Sequence, residues 1–503
     1  MESGSWDAVV LGAGIGGLTA AARLSRSGAR VLVLDQNPQV GGTAGVYRRK
    51  GFSFPKGPLG FSSPAVIARV LAELGIHPPP QMNRVHYRVL HADHGVPISL
   101  PFSRLISIYQ ALWPDQRGGI RGFFRDIKDL HNRLTDGSGS PRQLKKAART
   151  PAAAYLDARI TDSTLRRLLG SLGTSEPYSS LLRLAVNWNL MCEQGIHYPS
   201  GGVEKFCRTL ADAVIAPPGK TGERSEIRTG VRVQEILIKQ GRVAGVSLST
   251  GEQISCPAVV SNADFKNTFL HLIHPRSIPP EWTVRIRRSR ETASNLQVCL
   301  GFDSAGTDLG IFEKASRLIT RLFPEDEKNR DDHGYPLLSQ ELELSLWSAD
   351  DPSLAPAGGG VLVVRTEADY NQFSFFSPAP GQRTPEYKVA KEKLARFLIR
   401  ELEKRLPGLE ANIRAVDVAT PLTFQDRGGR SRGAVAGWSW DFEDSLEHRS
   451  RELIRTPVSG LYMAGYQAFS TLFLGGVPTA MESGLRAADA VANRLGPDMP
   501  DLP

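Results

Sequence analysis

The stretches Asp7-Ala-Val-Val-Leu11, Gly12-Ala-Gly14-Ile-Gly16-Gly17 and Arg30-Val-Leu-Val-Leu-Asp35 decide the fold of this chain. Two short apolar runs flank a glycine-rich turn, and a helical pattern continues from Leu18 to Ser27. This order predicts a strand, a helix and a second strand that ends on an acid. Such a unit binds a dinucleotide at the N-terminus of its helix, where free N–H groups and the helix dipole attract a pyrophosphate.

Each glycine of this turn has a predicted task. Gly12 permits the tight exit from the strand, Gly14 lets the backbone approach the pyrophosphate, and Gly17 lets the helix pack closely on the sheet. Gly16 lies in the same turn and is included in the predicted cofactor site. Asp35 follows about 20 residues after the turn, where a carboxylate can accept hydrogen bonds from a ribose diol.

A second pair of glycines follows the acid, within Asn37-Pro-Gln-Val-Gly41-Gly42-Thr43-Ala-Gly45. The pair predicts another close approach of the backbone to the cofactor. NAD is held mainly by the first strand–helix–strand unit, whereas FAD extends beyond it. We therefore predict FAD, and the alternative interpretation of the pair is an ordinary glycine turn.

The composition is that of a globular enzyme. With 503 residues the chain exceeds the usual size of a single core, so we expect two domains. We expect neither a membrane-spanning helix nor a signal peptide, because no apolar run is long enough and the first strand begins almost at once. We also expect no metal site and a cytoplasmic location. Four widely spaced cysteines predict reduced, buried side chains: Cys192, Cys207, Cys256 and Cys299.

Basic residues outnumber acidic ones by 61 to 52, a formal net charge of +9. Ten of them lie between Phe102 and Arg149 and alternate with aliphatic and aromatic residues. Such a segment can attach to an anionic lipid surface, here the inner face of the membrane. The alternative is a solvated helical face that covers a core stripe. No nucleic-acid-binding motif accompanies the charge, so we expect no nucleic-acid partner.

The remaining sequence indicates that the chain leaves the cofactor domain and returns to it. Short alternating strands are predicted from Glu226 to Ile254, and an apolar strand over Ala258-Val-Val-Ser261. Near the C-terminus, Gly460-Leu-Tyr-Met-Ala464-Gly465 predicts a buried strand. A glycine-rich turn then precedes an alanine-rich helix from Met481 to Leu495.

Six stretches carry a family resemblance. They are the N-terminal unit with Gly41-Gly42, Gly51-Phe-Ser-Phe54-Pro-Lys-Gly57-Pro58, Tyr198-Pro-Ser-Gly-Gly202, Val260-Ser-Asn-Ala-Asp264, Ala419-Thr-Pro-Leu-Thr-Phe424 and the ending from Gly460 to Ala490. Their order resembles that of the phytoene desaturases, carotenoid isomerases and retinol saturase-like flavoproteins. The resemblance spans nearly the full length and is more specific for the superfamily than for the reaction.

The resemblance implies an α/β fold of the amine-oxidase and phytoene-desaturase type. A discontinuous Rossmann-type FAD-binding domain would comprise residues 1–63, 195–265 and 415–503. An α+β substrate-binding domain would comprise residues 64–194 and 266–414, with a helical part that faces the membrane if the chain binds one.

The resemblance also implies where FAD lies. Gly12, Gly14 and Gly17 would hold the pyrophosphate, Asp35 the adenosine ribose, and Gly42 with Thr43 the region beyond it. Val233 would contact the adenine through its backbone. The residues expected at the flavin end are Gly57, Pro58, Gly465, Gly476, Val477 and Pro478.

Three positions depart from the family pattern. Thr43 stands where a basic residue is usual, so a phosphate contact is expected to be lost. After Gly51-Phe-Ser-Phe54 the family pattern normally continues with Asp, whereas this chain has Pro55-Lys56. Tyr466-Gln467 follows Gly465 where an Asp is usual, and Gln467 is expected to substitute as a hydrogen-bonding group. We therefore expect a non-standard flavin pocket.

The catalytic residues cannot be assigned from the sequence. Lys56 is a candidate, on the hypothesis that its charge stabilises a reduced anionic flavin or tunes a proton transfer; a surface lysine is the alternative. Aromatic residues are candidates for the wall of a dry substrate tunnel, with core packing as the alternative: Phe373, Phe375, Phe376, Trp438, Trp440 and Phe442.

The predicted function is an FAD-dependent oxidoreductase that desaturates a hydrophobic, isoprenoid or carotenoid-like small molecule by hydride transfer to flavin N5. The alternatives are a flavin-dependent saturase or a redox-neutral cis–trans isomerase of a polyene. An amine oxidase-like flavoenzyme and a non-catalytic flavin-bearing membrane or partner-binding protein also stay open. The sequence does not predict an oligomeric state.

Overall fold

The computed structural model describes residues 6–57, 61–91, 94–170, 180–216, 224–322, 341–379, 381–439, 453–469 and 476–495. Its strands are β1 (Ala8–Leu11), β2 (Val31–Asp35), β3 (Val46–Arg49), β4 (Phe52–Pro55), β5 (Met82–Arg84), β6 (Tyr87–His91), β7 (His94–Pro97), β8 (His197–Pro199), β9 (Glu226–Thr229), β10 (Val233–Lys239), β11 (Arg242–Leu248), β12 (Gln253–Ser255), β13 (Val259–Ser261), β14 (Ser294–Asp303), β15 (Arg317–Thr320), β16 (Leu342–Leu346), β17 (Gly359–Ala368), β18 (Ile413–Ala419) and β19 (Leu461–Met463).

The helices lie between and around these strands. They are α1 (Ile15–Arg26), α2 (Pro64–Glu73), α3 (Phe102–Leu112), α4 (Arg117–Thr135), α5 (Pro141–Arg149), α6 (Ala152–Asp157), α7 (Ser163–Gly170), α8 (Leu181–Trp188), α9 (Gly202–Ile215), α10 (Phe265–His271), α11 (Pro280–Arg288), α12 (Trp347–Asp350), α13 (Asn371–Ser374), α14 (Pro385–Glu403), α15 (Leu409–Asn412), α16 (Pro421–Gly428) and α17 (Gly476–Leu495).

A five-stranded parallel sheet with the order β19-β13-β1-β2-β9 forms the cofactor side of the molecule. Strands β1, β2, β13 and β19 are apolar along most of their length because helices cover both faces of such a sheet, whereas the edge strand β9 is mostly polar. Helix α1 packs close to the strands, since a Cβ on Gly17 would lie 2.1 Å from the carbonyl oxygen of Gly12. This sheet confirms the predicted α/β class and the predicted strand–helix–strand unit.

A seven-stranded sheet with the order β18-β14-β17-β16-β15-β6-β7 forms the other side. Along β14, Leu296, Val298 and Leu300 belong to a cluster of buried residues that also includes Leu398 of α14. Gln297 points to the opposite face, where its side chain donates to the carbonyl of Pro55 at 3.0 Å. The second face of this sheet therefore meets the cofactor side.

The structure corrects three details of the sequence interpretation. The proposed domain boundary at residue 415 falls inside β18, which belongs to the seven-stranded sheet. The sequence pattern over residues 64–194 is mostly helical, but this stretch also supplies β5, β6 and β7. Helix α17 begins at Gly476 rather than Met481, because Pro478 in the first turn is compatible with a helix.

The four cysteines are free and buried, as predicted. Burial raises the pKa of Cys207, Cys256 and Cys299 to about 12, which keeps these thiols protonated and poorly reactive. Among the described residues, no helix is both long and apolar enough to cross a membrane. The same part of the chain contains no group of three or more His, Cys, Asp or Glu residues arranged to hold a metal ion.

Candidate cofactor site

Two glycine-rich turns meet at the carboxyl ends of β1 and β2, and we call residues 12–17 and 41–45 together the glycine cradle. Gly14 and Gly41 form a parallel bridge, and the N–H of Gly41 donates to the carbonyl of Ala13 at 2.7 Å. A Cβ on Gly42 would lie 3.1 Å from the Cα of Gly14. The cradle thus exposes backbone where a pyrophosphate binds in folds of this type.

Asp35 is buried at the end of β2 and is held in one orientation. Its Oδ2 accepts a hydrogen bond from the N–H of Ala13 at 2.7 Å, and its Oδ1 accepts from the N–H of Asn37 at 2.8 Å. The N–H of Val231 donates to the carbonyl of Asp35 at 2.9 Å, which brings the start of β10 and Val233 alongside the acid. The residues predicted for the ribose and the adenine therefore lie close together.

Asn262 lies at the centre of the cradle, and the sequence interpretation gave it no role. Its Nδ2 is 2.7 Å from the Cβ position of Gly14, and its Oδ1 is 2.7 Å from the Cβ positions of Gly16 and Gly465. A larger residue at any of these three positions would overlap with the Asn262 side chain. The need for glycine there thus arises from a protein side chain as well as from a cofactor. The role of Asn262 could have been predicted from its position, because it is a polar residue directly after β13, at the carboxyl end of a strand in a parallel sheet.

The residues predicted for the flavin end lie at the same edge of the sheet. Gly465 has a φ of +95° and donates its N–H to Ser483 Oγ at 2.8 Å. Gly476, Val477 and Pro478 form the first turn of α17, with Val477 and Pro478 buried. A Cβ on Gly57 would lie 3.4 Å from the carbonyl oxygen of Thr43. Pro58 lies outside the described residues.

The Gln467 side chain makes a contact within the protein. Its Oε1 accepts from the N–H of Phe265 at the start of α10, at 2.8 Å. Its backbone carbonyl accepts from Nε1 of Trp438 at 2.9 Å. The side-chain oxygen therefore fixes the end of a helix, and its predicted contact with FAD stays a prediction.

Lys56 and Arg430 bring positive charge to the cradle. Lys56 is partly buried, with Nζ 3.4 Å from the Cβ position of Gly45. Burial lowers its pKa, and Asp35 and Cys207 act on it electrostatically in the opposite sense. Arg430 donates from Nη2 to Oγ1 of Thr43 at 3.3 Å, and burial lowers its pKa as well. Lys56 thus lies beside the cradle, and Arg430 was not predicted from the sequence.

Three of the aromatic residues considered for a substrate tunnel pack in or against cores: Phe373, Phe376 and Trp438. Phe373 is buried in the cluster on the α14 side of the seven-stranded sheet, and Phe376 packs against that cluster. Phe375 is 67% exposed. Trp438 is buried and meets Phe265 edge to face at a ring distance of 5.5 Å. Trp440 and Phe442 lie outside the described residues.

The basic segment between Phe102 and Arg149 forms α3, α4 and α5. Ile120, Phe123, Phe124 and Ile127 are buried on the inner face of α4, so this apolar stripe belongs to the core. All ten basic residues of the segment are exposed. These four residues of α4 agree with the solvated-face interpretation, and the outer face of the helix presents charge.

Comparison with known proteins decides the family. The family model described as flavin containing amine oxidoreductase matches residues 15–492. The chain belongs to this family. It is an FAD-dependent oxidoreductase, and the glycine cradle, Asp35 and the two cations beside the cradle fit a dinucleotide that carries a negatively charged pyrophosphate.

Curated relatives of this family member extend over nearly its whole length. A chloroplastic prolycopene isomerase of Daucus carota is 27% identical, over 98% of this chain and 81% of the relative. A phytoene desaturase (neurosporene-forming) of Cereibacter sphaeroides is 26% identical, over 98% of this chain and 95% of the relative. An all-trans-retinol 13,14-reductase of Danio rerio is 24% identical, over 97% and 86%.

Solved structures share the fold. Putrescine oxidase matches with a TM-score of 0.64 and 15% identity, over 97% of this chain and 99% of that chain. Cyclohexylamine oxidase from Brevibacterium oxydans matches with a TM-score of 0.61 and 18% identity, over 98% and 99%. At these identities the likeness concerns the fold alone.

Proposed function

We propose that this flavoenzyme desaturates a hydrophobic, isoprenoid or carotenoid-like substrate. The observation that carries the proposal is the full-length similarity to relatives named for polyene and retinoid reactions. That similarity covers the seven-stranded sheet as well as the cofactor side. The oxidases of putrescine and cyclohexylamine are similar in fold at lower sequence identity, so an amine substrate has weaker support.

Bound FAD supplies the redox chemistry, because flavin N5 accepts a hydride from carbon. The protein contributes position and electrostatics. Asp35 and the glycine cradle orient the adenosine and pyrophosphate end, while Gly465 and the first turn of α17 approach the other end. A desaturation of an apolar chain needs no ionised pair to bind its substrate.

A redox-neutral isomerisation is the second candidate. It is favoured by the prolycopene isomerases, which are 27% identical over 98% of this chain in Daucus carota and in an Oncidium hybrid cultivar. The two candidates share the fold and the cofactor and differ in net electron flow. A desaturase removes two hydrogens and needs an electron acceptor, whereas an isomerase returns its cofactor unchanged.

Anaerobic incubation of the FAD-loaded enzyme with separate polyene and amine libraries tests the proposal. We expect a polyene to bleach the oxidised flavin absorbance and to gain one double bond, seen by mass spectrometry as the loss of two hydrogens. Conversion only after prior reduction of the flavin, with no change in mass, would establish isomerisation instead. Bleaching by amines alone would contradict both candidates. No conversion of any compound, in either oxidation state, would indicate a flavin-bearing protein without turnover.

We also propose that the protein is cytoplasmic and attaches peripherally to an anionic membrane. The support is the exposed charge on α3, α4 and α5, since each basic residue near an anionic surface contributes about 1 kcal/mol. Because the aromatic residues of α4 are in the core, attachment would rest on charge rather than on insertion of these side chains. A hydrophobic substrate would reach the enzyme from the same lipid phase.

A further inference from the structure

Two cations lie on one turn of the glycine cradle. The guanidinium of Arg430 reaches Oγ1 of Thr43 at 3.3 Å, and Nζ of Lys56 lies 3.4 Å from the Cβ position of Gly45. Both side chains are partly buried. They come from distant parts of the chain, one after β4 and the other after α16, and converge on residues 43–45.

The protein contacts of Arg430 are neutral and long. Besides Thr43, its Nη1 donates to the carbonyls of Ala434 and Val435 at 3.5 and 3.4 Å. Good N–H···O hydrogen bonds are about 2.9 Å long, so these contacts satisfy the guanidinium poorly. Within the described part of the chain, neither Arg430 nor Lys56 has a carboxylate oxygen within 4.0 Å of a charged nitrogen.

The nearby acids are already engaged. Asp35 accepts from the N–H groups of Ala13 and Asn37. Asp264, the acid that acts on Arg430, accepts with Oδ1 from the N–H of Asn267 at 2.9 Å and from Ser431 Oγ at 2.6 Å. Two partly buried cations without a carboxylate partner are costly, and an anion bound beside them would remove this cost.

We propose that Arg430 and Lys56 bind the pyrophosphate of FAD, which supplies the negative charge that the surrounding side chains do not. The two glycine turns already direct a pyrophosphate to Gly14 and Gly42, next to Thr43. The proposal goes beyond the proposed reaction, because it concerns the cofactor alone and holds for any substrate.

This contact would also join the two sides of the molecule. Arg430 follows α16, and three residues later the carbonyl of Gly433 accepts a hydrogen bond from Ser294 Oγ of β14 at 2.6 Å. The segment that carries Arg430 is thereby fixed to the seven-stranded sheet. A pyrophosphate held by Arg430 therefore connects that sheet to the glycine cradle, and FAD binding is expected to slow hydrogen exchange over residues 429–435.

Calorimetric titration of the apo-protein with FAD, ADP and riboflavin tests the proposal. Arg430→Gln and Lys56→Gln are each expected to weaken FAD and ADP roughly tenfold, the usual effect of losing a charge-assisted hydrogen bond. Riboflavin, which lacks phosphate, is expected to bind all variants equally. Arg432→Gln is the matched control, because Arg432 lies in the same segment but is exposed and donates to Asn371 at 3.0 Å.

Salt dependence and a conservative variant separate binding from folding. The affinity of the wild type for FAD is expected to fall with added salt, and to fall less steeply in Lys56→Gln. Arg430→Lys keeps the charge and is expected to lose less affinity than Arg430→Gln; if the latter does not fold, the lysine variant and Lys56→Gln provide the test. Unchanged FAD and ADP affinities, or equal losses for riboflavin, would overturn the proposal. No substrate is present, so the outcome is independent of the reaction.

Discussion

The carboxylate of Asp35 accepts a 2.7 Å hydrogen bond from the backbone N–H of Ala13, which lies between the first two glycines of the cradle. The acid predicted to bind a ribose therefore also fixes the turn predicted to bind a pyrophosphate. A substitution of Asp35 is therefore expected to affect the binding of both the ribose and the pyrophosphate. It would disturb the glycine turn even though every glycine is kept.

Asp35→Asn is expected to weaken FAD binding by at least tenfold. Both oxygens of the carboxylate accept hydrogen bonds, whereas an amide has only one accepting oxygen. Flavin fluorescence quenching on titration of the apo-protein measures the affinity. Asp7→Asn is a matched control, since Asp7 accepts from the backbone N–H of Arg30 at 2.7 Å at the opposite edge of the same sheet. It is expected to leave the affinity unchanged, and an equal loss in both variants would contradict the assigned role.

Asn262 predicts which glycine substitutions can be rescued. Gly14→Ala is expected to destabilise the apo-protein by about 1–3 kcal/mol through overlap with Asn262 Nδ2 at 2.7 Å. In the background of Asn262→Ala the same substitution is expected to cost about 1 kcal/mol less, because the next atoms lie 3.9 Å or more away.

Gly16→Ala is the comparison for this cycle. Its Cβ would also meet the backbone nitrogen and Cα of Gly465 at 2.8 and 2.9 Å, so Asn262→Ala is not expected to relieve it fully. Urea unfolding of the three single and two double variants measures these differences. Absence of any rescue of Gly14→Ala by Asn262→Ala would show that Asn262 does not set the glycine requirement at this position.

Glu343 and Arg365 form an ion pair between β16 and β17, in which Glu343 is buried and Arg365 is largely buried. Glu343→Gln is expected to lower the free energy of unfolding by about 3 kcal/mol, because it leaves the largely buried Arg365 without this countercharge. Glu392→Gln, in the exposed pair with Lys388, is expected to cost less than about 1 kcal/mol. Chemical denaturation at neutral pH compares the two variants.

The same pair predicts a dependence of stability on pH. Burial raises the pKa of Glu343, but Arg365, the hydrogen bond from Ser345 and the charge of Arg317 together outweigh this effect, and the pKa lies below its ordinary value of 4.5. The contribution of the pair is thus present above pH 4.5 and is lost as the pH falls through the lowered pKa. Glu343→Gln is expected to show a smaller loss of stability over this acidic range than the wild type; an identical loss would exclude Glu343 as its source.

Vesicle sedimentation tests the outer face of α4. Arg121→Glu with Lys128→Glu is expected to lower the affinity for anionic vesicles several-fold at low salt, and high salt is expected to remove the difference. Leu112→Asp, at an apolar side chain that is 44% exposed, is expected to have a smaller effect. Binding to neutral vesicles, or binding that is insensitive to salt, would argue against attachment through charge.

The sequence predicted the parts of the site that are local in the chain. The strand over Asp7–Leu11 and the helix from Leu18 correspond to β1 and α1, because apolar periodicity and glycine turns act over short distances. Asn262 and Arg430 reach the cradle from residues far along the chain. Their position depends on sheet order and on the path after α16, which no local pattern records.

The five-stranded sheet is assembled from three widely separated parts of the chain, and β19 supplies its last strand only at residues 461–463. During synthesis, the N-terminal unit therefore cannot complete its sheet until residues 461–463 have left the ribosome. Such long-range parallel pairing folds slowly and leaves apolar strands unprotected for a time. FAD is thus expected to bind only after β19 has joined the sheet, and truncation before β19 is expected to yield an aggregating chain rather than a smaller flavoprotein.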